Sequence, residues 1–120
     1  MNGHDTIFGK IIRGEIPCQK VYEDDEVLAF HDIQPAAEVH FLIIPKKFIP
    51  SLAEVEPGDS ALLGKMLALA PILAKEQGLT DGFRTAINTG RLGRQDVYHL
   101  HIHVFGNKPG GEPLKVMLGK

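Results

Sequence analysis

Apolar residues in the first third of the chain follow two different spacings. Over residues 6–13 they fall three and four positions apart, which is the spacing of one face of a helix, and Gly14 and Pro17 then end the pattern. Segments 20–22, 27–33 and 39–44 are instead typical of strands. The last of these is apolar at nearly every position, as in a strand covered on both faces. We predict a short helix followed by three antiparallel strands, with the third in the centre of the sheet.

The second half of the chain predicts one long helix and two further strands. Pro57 has the place of a first helical residue, and an apolar stripe runs from there to about Gly78. The stripe consists of Leu62, Leu63, Met66, Leu67, Ala70, Leu73 and Ala74. Pro71 removes a backbone donor inside this helix, so we expect a kink or a break near residues 67–70. Segments 83–87 and 98–105 are predicted strands, joined by a loop that carries glycine and arginine.

Composition excludes several classes of protein. Thirteen Lys and Arg against fifteen Asp and Glu give a net charge of −2, so no basic surplus favours nucleic-acid binding. Cys18 is the only cysteine, which excludes an intramolecular disulfide and favours a reducing compartment. The longest apolar run, residues 67–74, is too short to cross a bilayer. We expect one cytoplasmic domain spanning residues 1–120, without a nucleic-acid or membrane partner.

Three histidines alternate with apolar residues near the end of the chain. In a strand, His99, His101 and His103 would share one face, while Tyr98, Leu100, Ile102 and Val104 would face the core. Three interpretations are open: a polar strand face, a metal site, and catalysis at an anionic centre. His99 and His103 would lie about 13 Å apart along a strand, which is too far to share one ion. A neutral imidazole is a competent nucleophile toward phosphorus, with a neighbouring imidazole to assist it.

The loop before the histidines fits an anionic ligand. Residues 88–96 hold two glycines, whose backbone N–H groups can approach an anion closely, and two arginines, whose geometry matches phosphate. A solvent-exposed turn with hydrated charges explains the same residues. The histidine pattern therefore carries more weight than the loop.

Taken together, these segments resemble the histidine triad (HIT) superfamily of nucleotide hydrolases and transferases. The segments that carry the resemblance are residues 5–12 with 15–17, 29–33, 40–47, and 95–105 with its alternating histidines. The resemblance is to the Hint branch, the histidine triad nucleotide-binding proteins, and it covers a core of about residues 5–106, with a tail over 107–120. It implies an α+β fold with about five antiparallel strands, one long and one short helix, and sheets joined across a two-fold homodimer.

The resemblance also implies roles for individual residues. His101 would attack the α-phosphorus of a purine nucleotide, His103 would face the phosphate and its leaving group, and His99 and His40 would support this arrangement. Asp32 would accept hydrogen bonds from the ribose, and Asn88, Asp96 and Val97 would hold the phosphate. The purine would lie among Ile7, Phe8, Ile11, Phe30 and Ile33, with His31 beside them. Without the resemblance, the apolar members and His40 are ordinary core residues, and Asp32 is an ordinary turn residue.

Two departures from the family pattern matter. Some family members hold a structural zinc through two cysteines and a histidine, but the corresponding positions here are Thr6, Gly9 and Phe48, so we expect no zinc. Asp96 replaces a frequent serine and Arg94 a frequent glycine, which leaves the preferred leaving group open.

We therefore predict a purine nucleoside phosphoramidate hydrolase of the adenosine 5'-monophosphoramidase type. It would act through a covalent nucleotidyl-histidine, without a metal or organic cofactor. A dinucleoside polyphosphate hydrolase, a nucleotide-binding interaction module with incidental catalysis, and a metalloprotein remain as alternatives.

Overall fold

A five-stranded antiparallel sheet forms the centre of the structure, a computed structural model that describes residues 6–115. Its strands are β1 (Lys20–Glu23), β2 (Val27–His31), β3 (Val39–Pro45), β4 (Arg84–Ala86) and β5 (Ile102–Gly106), arranged in the order β1-β2-β3-β5-β4. The helices are α1 (Ile7–Ile12) and α2 (Ser60–Glu76), and short 3-10 turns span Leu52–Glu54 and Pro57–Asp59. The predicted α+β class with five antiparallel strands, one long helix and one short helix is confirmed.

β3 separates two apolar clusters. It pairs with β2 on one side and β5 on the other, and all its residues are buried. Its odd-numbered residues from Val39 to Ile43 pack with α2, whereas Leu42 and Ile44 pack with Phe8 of α1. This division explains why the segment is apolar at both parities, and it confirms the predicted central strand.

α2 differs from its prediction in two respects. It is one helix from Ser60 to Glu76 with Pro71 inside it, so the expected break is absent. Pro71 lies on the exposed side of α2, away from the packed face. Leu67 was expected in the buried stripe but is 54% exposed, because at about 100° per residue it lies one step past the stripe centred near Met66. Within residues 6–115, no helix is long and apolar enough to cross a membrane.

The predicted strand over 98–105 is only partly correct. β5 begins at Ile102, and residues 97–101 are irregular. This segment bonds to the chain around residues 45–50 instead of a neighbouring strand: the Leu100 amide donates to the Ile49 carbonyl at 2.7 Å. Tyr98, expected in the core, is consequently 44% exposed. β4 is likewise shorter than the predicted segment 83–87.

Candidate active site

His101 and His103 lie side by side on the sheet face that α1 covers. His103 belongs to β5, opposite Leu42 of β3, and His101 directly precedes this strand. Their ring centroids are 4.9 Å apart, and the ring of Phe8 lies 5.0 Å from that of His101. Ile102 and Val104 pack on the opposite face with α2. The predicted alternation of side chains is therefore present around β5, although His99 lies outside the strand.

The hydrogen bond of His101 fixes which of its nitrogens can attack. Its Nδ1 lies 2.8 Å from the carbonyl oxygen of His99. Because a carbonyl only accepts, Nδ1 carries the proton and Nε2 keeps its lone pair. Burial lowers the pKa of His101, against smaller opposing effects of this hydrogen bond and of Asp32 and Asp96. The ring is therefore neutral near pH 7, with an unprotonated Nε2.

His99 supports His101, the candidate nucleophile, through its backbone carbonyl. Its side chain is buried, and its Nε2 donates to the carbonyl of Pro45 at 2.8 Å. The rings of Phe8 and Phe48 contact it edge-on, with centroids 6.3 and 5.6 Å away. A ring held on three sides keeps the carbonyl of the same residue in place for His101.

A second hydrogen-bond chain ends at His103. The Ala36 amide donates to Nδ1 of His40 at 2.9 Å, so the proton of His40 must lie on Nε2. That Nε2 lies 3.0 Å from Nδ1 of His103, which therefore accepts, and the remaining proton of His103 lies on its Nε2. Burial, followed by the neighbouring His101 and His40, lowers the pKa of His103 to about 4. His103 thus presents a neutral N–H donor.

Asp32 lies directly beyond β2, in the turn that leads to β3. One carboxylate oxygen accepts from the Gln34 amide at 2.8 Å, and the other lies 3.5 Å from Nε2 of His40. Asp32 is therefore a turn residue, as expected without the family resemblance, and it also lies close to the histidines.

Asp32, His40 and His103 have the spacing of a metal site, since their candidate ligand atoms all lie within 4.8 Å of one another. Coordination through Nε2 of His40 would move its proton to Nδ1, where it would meet the N–H of Ala36. The hydrogen bonds therefore favour a proton-bearing chain over a metal ligand set at this place. The wider expectation of a metal-free protein stays a prediction.

The positions that hold zinc in some relatives have other functions here. Thr6 caps α1 by accepting from the Gly9 amide at 3.1 Å, and Phe48 packs against His99. Neither thiolate nor imidazole is present at these positions.

The residues expected to enclose a purine are only partly brought together. Phe8 and Phe30 meet edge-on at 5.5 Å, and Ile11 packs against the same cluster. His31 ends β2 and is half-buried. Ile7 is exposed on α1, and Ile33 is 90% exposed in the turn beyond β2. The structure thus places the apolar surface of Phe8 and Phe30 beside His101 and leaves the side chain of Ile33 exposed next to Asp32.

The loop over residues 88–97 has a backbone that depends on its glycines. Gly90 has φ +71°, and a Cβ on Gly93 would lie 2.3 Å from the Thr89 carbonyl oxygen. Arg94 also adopts a left-handed conformation, with φ 63°, although it has a side chain. Asn88 is half-buried, Asp96 is exposed, and Val97 packs against the cluster of Phe8.

Gln95 holds this loop, a function that the sequence did not reveal. Its side chain is buried and makes three hydrogen bonds to main-chain groups. Gln95 lies between Arg94 and Asp96, and nothing in this polar sequence predicts that its side chain is buried. The only signal was that Gln95 belongs to the segment before the histidines that resembles the family.

Comparison with known proteins identifies the family. The HIT domain model matches residues 13–110, and the chain belongs to the HIT domain family. Protein HitA of Neisseria gonorrhoeae is 56% identical over 102 residues, which cover 85% of this chain and 95% of that protein. The resemblance inferred from the sequence is thereby confirmed at the level of the family.

Solved structures agree with this assignment. A HIT family hydrolase from Legionella pneumophila has a TM-score of 0.83 and 44% identity, covering 90% of this chain and 95% of that one. A histidine triad protein from Clostridium difficile has a TM-score of 0.86 and 41% identity, covering 98% and 99%.

Proposed function

We propose that the protein is a Hint-type hydrolase of purine nucleoside phosphoramidates, with His101 as nucleophile. The observation that carries the proposal is the 2.8 Å bond from Nδ1 of His101 to the His99 carbonyl, because it leaves a lone pair on Nε2 beside the N–H donor of His103. A module that only binds nucleotides has no need of an unprotonated nitrogen held in this way.

The reaction proceeds by two displacements. Nε2 of His101 attacks the α-phosphorus, the P–N bond breaks, and its electron pair leaves with the amine, which takes a proton from solvent. Water then attacks the nucleotidyl-histidine, the bond from phosphorus to Nε2 breaks, and the proton of the attacking water returns to solvent. The net change is the addition of one water across the P–N bond.

His103 stabilises the negative charge that develops during both displacements. Its neutral Nε2–H donates to a phosphoryl oxygen or to the leaving nitrogen, and its buried surroundings strengthen that hydrogen bond. His40 acts through His103 by fixing its tautomer. His99 acts through His101 in the same manner.

The nucleotide binds across the turn after β2 and the loop of residues 88–97. Asp32 accepts from the ribose hydroxyls, and the purine lies against Phe8, Phe30 and Ile11, where it would also cover Ile33. Asn88 and the loop at Asp96 and Val97 hold the phosphate, the last through its amide, while the negative charge of the Asp96 side chain opposes this binding. Within residues 6–115 the Val97 amide donates to no protein group, so it is available to an anion.

We also propose that two copies pair across one side of the molecule. Leu67 and Ile72 lie exposed on α2, at 54% and 55%, and β4 is an edge strand of the sheet. The two side chains point about 140° apart around α2, so pairing along the side of β4 would cover the open strand edge and the one apolar side chain that lies on that side. The thiol of Cys18 is free, which fits a reducing cytoplasm.

Rapid-quench mass spectrometry during turnover of an adenosine phosphoramidate tests the chemistry. We expect a nucleotidyl adduct on His101 that disappears as substrate is consumed. His101→Ala should abolish turnover and keep nucleotide binding. An unchanged rate in that variant, or an adduct on another residue, contradicts the proposal, and faster turnover of diadenosine polyphosphates would favour the dinucleotide hydrolase.

A further inference from the structure

The side chain of Gln95 makes three hydrogen bonds to the main chain, more than any other side chain described in its loop. Its Oε1 accepts from the Gly90 amide at 2.9 Å, while its Nε2 donates to the carbonyls of Pro50 at 2.8 Å and Val97 at 3.0 Å. The side chain is 6% exposed, so water cannot replace these bonds at low cost.

These bonds fix both ends of the loop. The backbone N–H of Gln95 also donates to the Gly90 carbonyl at 3.0 Å, so Gly90 is held by two bonds. Val97 is held at the other end, and Pro50 provides an anchor outside the loop. Pro50 is itself fixed, because the preceding Ile49 carbonyl accepts from the Leu100 amide.

The held segment borders the reacting atoms. Val97 lies four residues before His101 and packs on the cluster that contains Phe8, whose ring contacts His101. The bond to the Val97 carbonyl restrains the peptide after Val97, and the bond from the Gln95 backbone N–H to the Gly90 carbonyl restrains the peptide before Gln95. The Val97 amide, which has no acceptor among residues 6–115, lies between these two anchors, which together limit its rotation.

We infer that Gln95 is a positioning residue that presents the Val97 amide to the phosphate of the bound nucleotide. The inference rests on the proposed function, because it assumes that the ligand at this loop is a nucleotide phosphate. It predicts that Gln95 affects the recognition of phosphate and leaves the recognition of the nucleoside unchanged. The proposed nucleoside contacts come from α1, β2 and the turn after β2, to which the Gln95 side chain makes no hydrogen bond among residues 6–115.

Titration calorimetry of the full chain with AMP and with adenosine tests this separation. Gln95→Met keeps the length of the side chain and removes all three hydrogen bonds. We expect AMP affinity to fall about tenfold or more, since a hydrogen bond to a charged group is at stake, and adenosine affinity to stay within about twofold. Phosphoramidate turnover should lose kcat along with AMP affinity. Gln19→Met, at an exposed position, is the matched control and should change neither value.

A second variant covers the case in which Gln95→Met does not fold. Gly90→Ala keeps Gln95 but places a side chain at φ +71°, which strains the loop end that Gln95 holds. It should show the same selective loss of AMP affinity.

The outcomes separate the two proposals. If the wild type prefers AMP over adenosine and the folded variants keep that preference, the inference about Gln95 is wrong and the proposed function stands. If the variants lose AMP and adenosine affinity equally, Gln95 has only a structural role and the inference is again wrong. If the wild type itself shows no preference for AMP, both proposals are wrong.

Discussion

Nε2 of His40 donates to Nδ1 of His103 across 3.0 Å, and the Ala36 amide behind His40 allows no other direction for this bond. The proton that His103 offers to a ligand is therefore determined by a backbone amide two side chains away. The tautomers of His40 and His103 are therefore set by hydrogen bonds within the protein, before any ligand binds.

Replacement of His40 should disturb His103 without removing the nucleophile. His40→Leu removes the donor to His103, so we expect kcat to fall at least about tenfold and less than in His101→Ala. His40→Gln can keep an acceptor for Ala36 and a donor for His103, and it should retain more activity. Nitrogen-15 NMR of the imidazoles measures the tautomer directly: a single Nε2–H form of His103 in the wild type should become a mixture in His40→Leu. An unchanged tautomer there contradicts the hydrogen-bond chain.

The pH dependence of activity should extend to unusually acidic solution. The nucleophile works when His101 is neutral, and burial lowers the pKa of this group from its reference value of 6.5. A lowered pKa keeps the active form populated to lower pH, so the acid limb of kcat/KM should have its midpoint below 6.5. A pH profile from 4 to 8 with a phosphoramidate substrate measures it, and a midpoint above the reference value argues against a buried neutral His101.

Asp96 should weaken the binding of the product. Burial lowers the pKa of both His101 and His103, and the carboxylate of Asp96 opposes this lowering, so it lies within electrostatic reach of the two imidazoles and of a phosphate bound to them. AMP carries a second negative charge above about pH 6, whereas a phosphoramidate with one ionised oxygen carries a single charge. In Asp96→Asn we expect AMP to inhibit at about two- to tenfold lower concentration at pH 8 in low salt, with a smaller change at pH 5.

The matched control is Asp25→Asn, in the exposed turn between β1 and β2. It has the same change in net charge and should leave inhibition by AMP unaltered. Equal effects in both variants would assign the change to net charge and not to Asp96. The same Asp96→Asn variant should move the acid limb of the pH profile to lower pH, because the loss of a nearby carboxylate lowers the imidazole pKa values.

Two exposed apolar residues of α2 test the proposed pairing of two copies. Leu67→Glu and Ile72→Glu are made separately, because the two side chains point about 140° apart, and a charge at the one that lies in the apolar contact should convert a dimer into a monomer. Analytical ultracentrifugation over a range of concentrations measures the change. Leu52→Glu, at a 38% exposed position in a 3-10 turn, is the control. A monomeric wild type would contradict the pairing at once.

The sequence predicted the parts of this structure that depend on repeated spacing. The apolar run in β3 indicated a strand with two covered faces, and the apolar spacing after Pro57 indicated α2. The alternation at His101 and His103 placed both rings on one face. In each case one short periodicity is enough to decide the side on which a residue lies.

The sequence failed where single long-range hydrogen bonds decide the structure. Residues 97–101 continue the alternation of a strand, yet bonds from Leu100 to Ile49 and from His99 to Pro45 hold them outside the sheet. Gln95 is polar and buried because it bonds to two main-chain groups of its own loop and to the carbonyl of Pro50, which is distant along the chain. Pro71 did not interrupt α2, although it removes one backbone donor inside the helix. No local pattern records such partners.

The division of β3 between two clusters links folding to chemistry within one strand. His40 points to the same side as Leu42 and Ile44, while Val39, Phe41 and Ile43 point to α2. Deletion of one residue between Val39 and Ile43 would exchange the two sides for part of the strand. Such a change would place the imidazole of His40 in the apolar cluster beneath α2 and an aliphatic side chain next to the histidines. A register shift of one residue in this strand would therefore damage folding and chemistry together.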